Sequence, residues 1–138
     1  MTTAAFELDT RLAVDTSPVV SLPLCDVLMM NDARYPWLVL VPRRAGLVEL
    51  TDLDGTEQAL LWQEVKRANA ALRSAAPGDK LNLGVLGNVV RQLHVHIVVR
   101  REGDEAWPGP VWGNGESIPY AADDLATFIQ TVKRAWAI

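Results

Sequence analysis

His94 and His96 are the chain's two histidines, and they stand two residues apart in Gln92-Leu-His-Val-His-Ile-Val-Val99. On a β-strand that spacing turns both imidazoles to one face, with their Cα atoms roughly 6.5–7 Å apart. Gln92 falls on the same face, while Leu93, Val95 and Ile97 face the other way. Three polar side chains on so apolar a strand cost free energy unless each finds a partner. Near neutral pH an imidazole can serve as nucleophile, proton carrier or metal ligand. Three readings are therefore open: a satisfied structural pair, part of a metal site, or a catalytic pair. A zinc site would need a further ligand. With Cys25 the only cysteine, far upstream, it would have to recruit Asp or Glu.

Such residues need rigid support. Gln92–Arg100 is predicted as a strand from its alternation and Leu81–Val85 as another, joined across Gly84 and Gly87. Trp37–Val41, stopped by Pro42, has the composition of a strand buried on both faces. Thr16–Met30 is apolar but interrupted by Pro18 and Pro23, with Leu24–Met30 its better strand. A turn-rich segment, Asn31 to Pro36, follows it. Asp52 and Asp54 offer caps to a helix whose Leu60, Leu61, Val65, Ala68 and Leu72 recur at helical spacing until Pro77-Gly78. Leu125, Phe128, Ile129, Val132 and Trp136 stripe a second helix, with Lys133 and Arg134 in its last turns. The expected fold is one α+β domain over residues 1–138, a mostly antiparallel sheet with two main helices.

Composition narrows the function. Thirteen basic residues against seventeen acidic ones leave a net charge of −4, which disfavours a grip on duplex nucleic acid through its phosphates. A small anionic ligand is compatible, because a pocket can be locally positive on an acidic protein. A single cysteine permits no internal disulfide and suits a reducing compartment. No run approaches the ~20 apolar residues of a membrane span, and the N-terminus lacks the pattern of a signal peptide. The expectation is a soluble cytoplasmic protein with no membrane partner.

Beyond His-x-His, the stretch from Leu81-Asn-Leu-Gly-Val-Leu-Gly-Asn-Val-Val-Arg to Gln-Leu-His-Val-His-Ile-Val-Val99 resembles the signature of the histidine triad (HIT) family. That signature is His-x-His-x-His and two apolar residues, preceded by a phosphate-binding turn and an upstream Asn. Trp37-Leu-Val-Leu-Val-Pro-Arg43 is similar to the family's strand ending in Pro-Lys/Arg, and the order of elements matches over about residues 20–112. The resemblance implies a nucleotide hydrolase or nucleotidyl transferase. Its substrates would be purine nucleoside phosphoramidates, adenylylated compounds or dinucleoside polyphosphates. His94 falls at the nucleophile's position, its ring held through Nδ1–H by the backbone carbonyl of Gln92. His96 falls where the family contacts the phosphate and assists the leaving group. Asn88 and the backbone N–H of Val89 match the phosphate-contacting turn, Asn82 the upstream Asn, and Asn31 and Asp32 the ribose-binding acidic position. No metal or other cofactor is required, since neutral imidazole is already competent. Members commonly pair as homodimers, with the mid-chain helix and its following strand the candidate contact.

Two positions depart from the pattern. Gln92 replaces the first histidine of the triad, and Trp37 replaces a further histidine of the family. The indole N–H of Trp37 is expected to donate to the side-chain carbonyl of Gln92, restoring the lost pair. Trp107 and Trp112 are expected to wall the leaving-group side of the pocket, the alternative being an apolar clasp over the sheet. Glu102, Asp104, Glu105, Arg43 and Arg44 read as solvated charges. Two other functions compete: a nucleotide-binding or regulatory module in which the altered triad does not turn over, and a metalloprotein using both histidines.

Overall fold

A computed structural model describes residues 5–136. Five strands, β1 (Thr16–Ser21), β2 (Cys25–Met30), β3 (Trp37–Pro42), β4 (Lys80–Gly84) and β5 (Val95–Arg100), form one antiparallel sheet in the order β1-β2-β3-β5-β4. A short α1 (Thr10–Asp15) precedes it, α2 (Gly55–Ala75) joins β3 to β4, and α3 (Ala122–Trp136) closes the chain. No helix among the described residues is long and apolar enough to cross a membrane.

Every residue of β3 and of β5 is buried, because these central strands are covered on both faces. One face carries Leu38, Leu40, Val95, Ile97 and Val99 against Leu61, Val65, Ala68 and Leu72 of α2 and Val132 of α3. Asp54 starts α2 with a capping box: its carboxylate accepts from Glu57 N at 2.8 Å, and Glu57 accepts from Asp54 N at 3.2 Å. Glu64, on the buried side of α2, accepts from the backbone of Leu24 and Cys25 and so ties the helix to the β1–β2 turn. The opposite face carries Leu28, Trp37, Val39, Val41 and Val98, covered by Leu12 of α1, Tyr35, Ala106 and Val111, with Phe6, Leu8 and Trp112 packed at its margin. Register puts His96 opposite Val39 on one side and Gly84 on the other, so the histidine lies on this thinner face.

The predicted elements are present with shifted bounds. The histidine strand begins at Val95, because Leu93 N turns aside to the carbonyl of Leu47 and the side chain of Gln92 bonds the N-terminal segment. His94 therefore precedes the strand. α1 is one and a half turns long, too short to leave a periodic signature, and Asp9 caps it by accepting from Arg11 N at 2.8 Å.

Candidate active site

Three elements meet at the uncovered part of this face: the end of the 85–94 loop, β5 and α1. They enclose a cleft of about 580 Å³ lined by His94, His96, Trp112, the turn at 86–90 and residues 10–15 of the α1 segment. Gly87 makes that turn possible, its φ of +76° being left-handed.

His94 is 5% exposed, and its Nδ1 lies 2.6 Å from the backbone carbonyl oxygen of Gln92. A carbonyl only accepts, so Nδ1 carries a proton and the neutral ring has its lone pair on Nε2. His96 is held the opposite way. The Trp37 indole N–H donates to its Nδ1 at 3.0 Å in the buried layer, which leaves the proton of the neutral ring on Nε2. Burial, with His94 beside it, pushes the His96 imidazole down to about 3, so it stays neutral through the physiological range. The two rings meet edge to face at 4.7 Å. One presents a nucleophilic nitrogen and its neighbour a hydrogen-bond donor.

That geometry corrects the expected Trp37–Gln92 bond: the indole N–H is spent on His96. The Gln92 amide is engaged elsewhere. Its Oε1 accepts from Asp9 N and its Nε2 donates to the carbonyl of Glu7, both at 2.8 Å. The glutamine thus clamps the N-terminal segment, and with it α1, against the histidines.

The other candidates divide. Asn88 and Val89 line the histidine cleft, Val89 being 74% exposed. Trp112 packs its ring 5.5 Å from His96 and 6.2 Å from Trp37. A Cβ on Gly84 would sit 2.8 Å from that ring, so only glycine fits beneath it. Beyond Trp112 lies a second, more polar hollow of about 390 Å³, with Trp37, Asn31, Asp32 and Arg34 on its wall. Both ribose candidates are engaged there. Asn31 accepts from Tyr120 N at 2.9 Å, and Asp32, 1% exposed, holds Arg34 through both carboxylate oxygens. Two further candidates lie elsewhere. Asn82 lines neither hollow, because its Oδ1 accepts from Arg100 Nη1 at 2.9 Å. Trp107 lines neither, because its ring lies 5.6 Å under the Arg100 guanidinium. Nor are all the loop acids simply solvated: Asp104 pairs with buried Arg100 at 2.8 Å, and Glu105 pairs with Arg34.

Comparison with known proteins decides the lineage. The HIT domain family model matches residues 11–103, about two thirds of the chain. The protein belongs to the HIT family. A histidine triad protein of Bradyrhizobium japonicum is 48% identical, covers 96% of this chain and 98% of its own, and superposes with a TM-score of 0.93. A HIT protein of Sinorhizobium meliloti is 46% identical over 94% and 96% of the two chains, TM-score 0.92. One of Marinobacter aquaeolei is 40% identical over 97% and 98%, TM-score 0.93. A comparison with curated proteins gives no match.

Within this HIT domain, sequence reasoning missed Arg11, which lines the histidine cleft and donates to the carbonyl of Val89 at 3.2 Å. It also missed Arg34, which binds Asp32, Glu105 and the carbonyl of Asn114. Arg11 lies outside every motif and its helix leaves no periodic trace. Asp32-Ala-Arg34 was legible as an acid and a base two residues apart.

Proposed function

We propose that the protein is a nucleotide hydrolase or nucleotidyl transferase acting at the α-phosphate of purine nucleoside conjugates through a covalent nucleotidyl-His94. The observation that carries this reading is the pair of opposed tautomers. His94 Nε2, freed by the Nδ1 bond to the Gln92 carbonyl, forms a bond to phosphorus as the bond to the leaving group breaks. His96 Nε2–H, the backbone N–H of Val89 and the side-chain amide of Asn88 then donate to the phosphate oxygens. Water or another acceptor resolves the nucleotidyl-imidazole. These residues supply nucleophile and donors without a metal. The nucleoside extends past Trp112 into the second hollow, where a ribose hydroxyl reaching Asp32 would share its carboxylate with Arg34.

The test is a rapid mass measurement after mixing with an adenosine 5′-phosphoramidate. A nucleotidyl adduct is expected on the wild type and none on His94→Ala, with kcat/KM in that variant down at least about a thousandfold. Tight nucleotide binding with neither adduct nor product would instead mark a binding module.

For assembly we propose a homodimer through α2 and β4. β4 is an edge strand, and its Leu83, Val85 just after it and Trp62 of α2 are 45%, 47% and 51% exposed. Light scattering should give twice the chain mass and a monomer for Trp62→Glu. A wild-type monomer removes this proposal.

A further inference from the structure

Arg11 is the only Lys or Arg lining the histidine cleft among the described residues. None of the ion pairs found there includes it. Among the described residues its single side-chain bond is to the carbonyl of Val89, the residue whose N–H serves the phosphate turn. Nothing in the local helix calls for a cation: in the first turn of α1 the helix dipole favours an acid. Its place is nevertheless built. Gln92 bonds the backbone of Glu7 and Asp9, Asp9 caps α1, and Leu12 is buried behind it. The two ends of α1 differ in charge. Arg11 stands by the phosphate turn, while Asp15 borders both hollows, and its carbonyl accepts from Asn31 N. A nucleotide lying along this wall, with its nucleoside toward the second hollow, puts its leaving group at the Arg11 end.

From this arrangement, and resting on His94 as the nucleophile, we infer that Arg11 is a specificity residue that pairs with a leaving group departing as an oxyanion. The preferred substrates are then nucleotide anhydrides, with a phosphate or carboxylate leaving group, over phosphoramidates. In the first step the Nε2–P bond forms as the P–O bond to the leaving group breaks. The electron pair stays on the departing oxygen, where the guanidinium meets it, and no proton is needed. An amine leaving from a P–N bond has to take a proton as it goes. The ring beside it is a poor source: with Trp37 donating to its Nδ1, His96 carries one proton, offered as a hydrogen bond. Two independent features of the cleft, a cation at the exit and a neutral donor beside it, thus favour the same chemistry.

The experiment compares kcat/KM for a dinucleoside tetraphosphate and for a phosphoramidate of an uncharged amine, both carrying adenosine, in wild type, Arg11→Gln and Arg11→Lys. Arg11→Gln should lower the anhydride-to-amidate ratio about fivefold, as loss of one exposed charge-assisted contact does, and Arg11→Lys should recover part of it. A ratio that does not move overturns the inference, whether both rates fall together, as for a purely structural residue, or neither falls. A wild-type protein that forms the His94 adduct and shows an unmoved ratio sinks this inference alone. Absence of the adduct with both substrates sinks it together with the proposed function.

Discussion

The two hollows on either side of Trp112 treat their polar groups in opposite ways. In the second, Asp32, Arg34, Glu105 and the carbonyl of Asn114 satisfy one another, and the result is a clasp fastening the 102–118 loop to the β2–β3 connection. In the first, both histidines and the arginine are each fixed by one atom and leave another open. His94 is tied through Nδ1, His96 through Nδ1 and Arg11 through one amino group. Saturated groups hold structure; half-satisfied groups aimed into a cleft can meet a ligand at no further cost in orientation.

If that contrast is right, the largest effect on stability comes from the saturated side. Arg34→Ala strands the Asp32 carboxylate, whose side chain is 2% exposed, and should lower the unfolding free energy by about 3 kcal/mol in a denaturant titration. Adding Asp32→Asn should recover part of the loss, because the stranded charge goes with it. An Arg34→Ala protein as stable as the wild type would mean that the clasp is ornamental.

Much of the arrangement was legible in the sequence, and the part that was not has a physical cause. Alternation and helical stripes marked the strands and both long helices, because burial on a sheet or helix face repeats at 2 or 3.6 residues. The carbonyl holding His94 follows from its i−2 neighbour and survives any side chain at position 92. The partners of Trp37 and Gln92 were not legible. Gln92 was assigned to the face of the histidine strand that carries His94 and His96, but position 92 lies before β5, and a bend there sends its amide toward the N-terminus. Likewise Asn82 sits opposite Val98, two residues along the strand from the Gly84–His96 pair, where Arg100 reaches it first. Which long side chain arrives from outside a motif is a tertiary fact.

On the open side the next effect is on His96. The unfolded chain takes up a proton on this imidazole near 6.5, whereas the native ring stays neutral down to about 3. Between those values the unfolded state binds more protons, so stability rises with pH and is lost as pH falls from 6.5 toward 3. This group should give that window a positive slope of stability against pH, and His96→Asn should flatten it. Trp37→Phe keeps an aromatic ring but removes the donor. The Nδ1 resonance of His96 should then report mixed tautomers by ¹⁵N NMR, with kcat about tenfold lower. A single unchanged tautomer in that variant would show that the indole does not set the ring's state.

The smallest effect tests how the open side is held together. Gln92 joins the two halves of the first hollow: its backbone carbonyl fixes His94, and its amide fixes the segment carrying Arg11. Gln92→Ala keeps the first function and deletes the second. Two neutral hydrogen bonds at the edge of the fold are worth about 1–2 kcal/mol together, so amide exchange at Asp9 should speed up about tenfold while the unfolding midpoint barely moves. Gln92→His should resemble the alanine variant, because the two nitrogens of an imidazole diverge and cannot meet the carbonyl of Glu7 and the N–H of Asp9 side by side as a primary amide does. Were Asp9 equally protected in all three proteins, Leu12 and the Asp15 carbonyl would be anchoring α1, and the first hollow would owe its cation to them instead of to the glutamine.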